Sequence, residues 1–111
     1  SEAEWQAVLA TNLTTAFAVV RAAPKVLQEG GSVVFCSSVA ATIGLANHEA
    51  IAAAKAGVEG LSRAAAASNA PRGIRFNVVA PGLVRTRLAS TITANERALQ
   101  ASERMHPLGR I

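Results

Sequence analysis

Gly31-Ser32-Val33-Val34-Phe35-Cys36-Ser37-Ser38 is the stretch on which the fold turns. Residues 32–36 are mostly β-branched or aromatic and show no polar alternation, the pattern of a short strand covered on both faces. Strands of that kind occur in parallel sheets with helices packed on them, so this one run predicts an α/β architecture.

Working outward, the segment before it is helical. Ser1 and Glu4 have the spacing of a capping box, and Trp5, Val8, Leu9, Leu13, Ala16, Phe17 and Val20 recur at helical intervals. The helix is expected to run toward Leu27, with a bend at Pro24, which has no N–H to give, and to stop at Gly30-Gly31. After Ser37-Ser38 comes a loop containing Gly44. Asn47 is then the expected N-cap of a long Ala-rich helix over about 48–68. Asn69, Pro71 and Gly73 mark a turn, and Ile74-Arg75-Phe76-Asn77-Val78-Val79 reads as a second strand. Pro81-Gly82 ends it. A final helix over about 93–105 is expected to open with a Thr93–Glu96 capping box. Helix, strand, helix, strand, helix is the βαβ rhythm of a doubly wound parallel sheet. Two strands make no stable sheet alone, so further strands are expected beyond both ends.

Composition narrows the chemistry. The chain has 111 residues, half of them apolar, and only 16% charged. Disorder is therefore not expected, and no uninterrupted apolar stretch reaches the roughly 20 residues of a membrane span. The net charge of +4 comes from scattered arginines with no aromatic residues interleaved, so no nucleic-acid partner is expected. A single cysteine, Cys36, and the lack of a recognisable leader suggest a reducing, cytoplasmic setting. No Asp is present, which excludes a Ser-His-Asp triad, and His48, His106 and Cys36 lack metal-ligand spacing. Gly57 and Gly60 fall inside a helix rather than between a strand and a helix, so close packing explains them better than a phosphate loop.

Lys55 stands out as the lone lysine of a small-residue helix, with Ile51 and His48 on its side at i−4 and i−7. A cation there wants a partner. Ser37-Ser38 leaves the C-terminal end of a parallel strand, where open α/β sheets place ligands, and the next helix would bring Lys55 toward it.

Asn12-Leu13, Val33 to Ser38, Ala54-Lys55-Ala56-Gly57-Val58-Glu59-Gly60-Leu61, Gly73 to Thr86 and Met105 to Ile111 together resemble, in order, the C-terminal half of a short-chain dehydrogenase/reductase. The resemblance implies a partial Rossmann-type sheet, NAD or NADP as cofactor, a small-molecule carbonyl or alcohol substrate, and assembly as a homo-oligomer, dimer or tetramer. It implies a tetrad of Asn, Ser, Tyr and Lys, in which Asn12 holds a proton-relaying water through its backbone. Ser38 hydrogen-bonds the reacting oxygen, and Lys55 binds the nicotinamide ribose and lowers the pKa of the Tyr. Pro81, Gly82, Val84 and Thr86 line the nicotinamide, and a loop over about 83–105 shapes the substrate pocket. The Tyr itself is replaced: thirteen residues past Ser38 stands Ile51, and the chain has no tyrosine. An atypical oxidoreductase with His48 as substitute acid is one expectation; a catalytically impaired subunit that binds cofactor or serves assembly is the other.

Overall fold

The computed structural model describes residues 1–111. It divides into two compact units, Ser1–Ala80 and Pro81–Ile111.

The first unit opens with α1 (Glu2–Leu9), a π turn at Ala10–Thr14, and α2 (Thr15–Val26). Ser1 Oγ accepts from the Glu4 N–H at 3.2 Å, and the capping box read from the sequence is complete. The helical irregularity lies at Ala10–Thr14; the helix continues through Pro24 to Val26. Arg72, arriving from the far end of the next helix, donates to the carbonyls of Pro24 and Leu27, so the end of α2 is sealed by a guanidinium. Taken as one run, Glu2–Val26 is long and apolar enough by length and composition to cross a bilayer. The core helix of a water-soluble protein passes the same test, so length and composition alone do not make it a span.

β1 (Ser32–Cys36) pairs in parallel with β2 (Arg75–Val79), in the register Ser32 with Arg75 through Cys36 with Val79. Between them a short 3₁₀ turn at Val39–Ala41 leads to α3 (Glu49–Asn69), which packs on the sheet as the crossover expected of a βαβ unit. The core gathers Ala16, Phe35, Val58, Ala65, Ile74 and Phe76. On α3 the buried positions Ala54, Val58, Ser62, Ala65 and Asn69 fall three or four apart, a single inward stripe. Strand coverage differs from expectation. Phe35 and Phe76 are buried, but Val34 is 61% and Val79 55% exposed, so the helices of this chain cover one face of the strand pair.

Two caps also differ. Asn47 adopts φ 60° and precedes the N-cap, which is His48, whose side chain makes no capping hydrogen bond. A left-handed Asn turns the chain into α3 rather than capping it. Gly57 behaves as expected: a Cβ there would lie 3.0 Å from both terminal methyls of Leu13, so the missing side chain lets α3 approach the π turn. Gly60 meets nothing within 4 Å.

The second unit holds α4 (Ser90–Thr93) and α5 (Glu96–Arg104). Thr93 ends α4 instead of opening the last helix. The cap of α5 is Asn95, whose side-chain oxygen accepts from the Ala98 N–H at 3.0 Å.

Candidate active site

The C-terminal end of β1 is where the chemistry-bearing residues gather. Strand alternation sends Ser37 inward, where it is 3% exposed, while Ser38 stays partly exposed. α3 meets this strand end with two side chains one turn apart. Lys55 Nζ donates to the Cys36 carbonyl at 2.8 Å, and Glu59 Oε1 accepts from Ser37 Oγ at 2.7 Å. The second contact takes the Ser37 proton, since the Lys55 carbonyl lies at a longer 3.4 Å from the same oxygen. The partner that Lys55 calls for is therefore a backbone carbonyl at the end of the strand.

Ser38 caps the 3₁₀ turn, with Oγ accepting from the Ala40 N–H at 3.2 Å. Its own proton is left free to meet a ligand oxygen. Asn12 lies in the π turn, a form that is rare and concentrated at functional sites, and its amide donates to the Val8 carbonyl at 3.0 Å. Asn12, Cys36 and Lys55 line one cleft of about 250 Å³, together with Thr11 and Thr15. Ser38 is outside that lining and borders it through Cys36, two residues earlier.

His48 Nδ1 lies 2.7 Å from the Ala46 carbonyl. A carbonyl only accepts, so Nδ1 carries the hydrogen and Nε2 is the nitrogen left for another partner. Ile51, at i−4 from Lys55, is partly buried and offers no polar atom.

In the second unit, Pro81, Gly82, Val84 and Thr86 form one irregular segment after β2. Thr86 Oγ1 accepts from the Ala89 N–H at 3.2 Å, Val84 is 52% exposed, and Gly82 lies against the ring of His106.

A family model described as Enoyl-(Acyl carrier protein) reductase matches residues 1–111. The chain belongs to the short-chain dehydrogenase/reductase family. Within that family it is 39% identical to Nodulation protein G of Azospirillum brasilense, over 98% of this chain and 46% of that protein. It is 36% identical to the 3-oxoacyl-[acyl-carrier-protein] reductase FabG of Salmonella typhimurium, over 86% of this chain and 40% of the relative. Among solved structures, a candidate gluconate dehydrogenase from Agrobacterium tumefaciens superposes with TM-score 0.93 at 32% identity, over 99% of this chain and 44% of that one. The Pseudomonas aeruginosa RhlG/NADP active-site complex gives TM-score 0.85 at 27% identity, over 96% and 44%. The chain thus spans less than half the length of these relatives, and its fold is the Rossmann-type α/β fold of the short-chain dehydrogenase/reductases.

Two features of the site escape sequence reading. Glu59 looks like one more charge on an exposed helix face, and only the fold puts it on Ser37. The π turn has no signal in residue spacing, although Thr11, Asn12, Thr14 and Thr15 form a polar interruption in an apolar helix that marks the place.

Proposed function

We propose that the whole protein is an NAD(P)-dependent oxidoreductase acting on a carbonyl or alcohol, with this chain supplying the nicotinamide and substrate side of the site. The observation that carries the reading is the Lys55 ammonium fixed on the Cys36 carbonyl at the edge of the cleft it shares with Asn12. The donor set fits a nicotinamide ribose. An ammonium has three N–H donors, Cys36 takes one, and two remain for the ribose hydroxyls.

The bound nicotinamide would give or take the hydride, and the residues of this chain do the rest. Lys55 holds the ribose and Ser38 donates its free O–H to the reacting oxygen. Pro81, Gly82, Val84 and Thr86 meet the carboxamide, and residues 83–105 shape the substrate pocket. Asn12 holds a water through its backbone. Ile51 cannot move a proton, so the acid is another group. Among side chains His48 is the one on the Lys55 face, with Nε2 uncommitted. The loss of a positioned acid makes turnover slow, by roughly 10²–10⁴.

A second reading rests on the same Ile51: a subunit that binds cofactor and does not turn over. Both readings include a homo-oligomer, dimer or tetramer, supported by apolar side chains left exposed on the first helical run, Trp5 at 40% and Phe17 at 47%. Both place the protein in the cytoplasm, on the single free thiol.

The test uses the whole protein, calorimetry with NAD and NADP, and NADPH absorbance over a panel of carbonyl compounds. Cofactor binding with slow turnover that rises roughly 10²–10⁴-fold in Ile51→Tyr is the expected result. Activity confined to the Tyr variant favours the non-catalytic subunit. An active parent unchanged by Ile51→Tyr assigns the proton to another donor, and a parent that binds neither cofactor ends the proposal.

A further inference from the structure

His106 has no role in the chemistry described above, yet its ring lies against Gly82. A Cβ built on Gly82 would lie 2.6 Å from His106 Nε2, with the rest of the ring edge at 3.4–3.5 Å. That is inside any permitted carbon–nitrogen contact. The ring has little freedom to yield. Its Nδ1 lies 2.8 Å from the Ser102 carbonyl, which fixes Nδ1 as the protonated nitrogen and holds the ring on the last turns of α5. Its backbone is tied on both sides, with the His106 N–H donating to Glu103 at 3.0 Å and the His106 carbonyl accepting from Gly109 at 2.9 Å. The φ of Gly82 is not in the left-handed region, so backbone conformation does not call for glycine there. The ring does.

We infer that His106 is a positioning residue: its imidazole, anchored to α5, is seated on Gly82 and sets the path of the Pro81–Thr86 segment that meets the nicotinamide. The inference rests on the proposed function for what the segment touches, and on geometry alone for the contact. It links two parts of the unit that the reaction uses differently. Residues 83–105 would shape the substrate pocket, and Pro81–Gly82 the cofactor pocket, and the ring joins α5 to Gly82.

The experiment is a double-mutant cycle in the whole protein, with Gly82→Ala, His106→Ala and the pair, reading thermal unfolding and NADPH affinity by calorimetry. Gly82→Ala is expected to lower Tm and weaken NADPH about tenfold, a typical overpacking penalty. Adding His106→Ala should recover most of both losses, because the obstacle is gone. His106→Ala alone should weaken NADPH about threefold with little change in Tm. His106→Asn, which keeps a donor for the Ser102 carbonyl, should fall between it and the parent. Additive effects on Tm, with no rescue, overturn the contact. Rescue of Tm with NADPH affinity equal in all variants overturns the positioning role. A parent that binds neither NAD nor NADP in either redox form defeats the functional reading and this role together, and the Tm cycle still decides whether the ring is the obstacle at Gly82.

Discussion

All of the buried residues of this chain, from Ala16 to Phe76, lie in Ser1–Ala80, and none lies in Pro81–Ile111. The first unit is organised by a core, in which α3 presses one stripe of small and branched side chains onto two strands. The second is organised by local hydrogen bonds: Asn95 to Ala98, Thr86 to Ala89, His106 to Ser102. Lys55 therefore sits on a packed base, while Pro81, Gly82, Val84 and Thr86 belong to a unit held by a few short-range contacts.

Substitutions can break or sharpen that contrast. The largest effect is expected for Ile74→Ala, which empties a side chain only 2% exposed and should cost about 2–5 kcal/mol in denaturant unfolding. Leu108→Ala, at 78% exposure in the second unit, should stay within about 0.5 kcal/mol. Equal losses would refute the division. Next, Glu59→Leu strands the buried Ser37 hydroxyl and should cost about 1–3 kcal/mol, whereas Glu59→Gln keeps an acceptor and most of the stability. The same pair, assayed for turnover, tells whether the Ser37 contact also aligns Ser38. Gly57→Ala forces Leu13 aside and should destabilise by about 1–3 kcal/mol. Its neighbour Gly60→Ala, facing open space, should stabilise by up to about 1 kcal/mol. The smallest effect is on α5: Asn95→Ala should lose about 1 kcal/mol of local stability, read by amide exchange, and Thr93→Ala almost none.

The contrast also explains what sequence could reveal. Strand Ser32–Cys36, helix Glu49–Asn69 and strand Arg75–Val79 were legible because burial leaves a periodic trace, and Lys55 because a lone cation in an Ala-rich helix is conspicuous. The caps were less so. Asn47 and Thr93 have the chemistry of an N-cap, but the neighbouring His48 and Asn95 take the position, since a cap is decided by one residue's backbone angles. One-sided cover of β1 was hidden because Val34 is apolar whether or not anything lies on it. Glu59 and His106 were invisible for a shared reason: each acts on a residue at least 22 positions away, and nothing in local spacing records that.

Arg72 ties the end of α2 to the start of the second strand across 45 to 48 residues of chain. Contacts so distant in sequence pay their loop-closure entropy late, after the intervening crossover has formed. The last turn of α2, around Pro24, should accordingly be among the last parts of the first unit to gain amide protection during refolding. It should be the first to lose it when the guanidinium is removed.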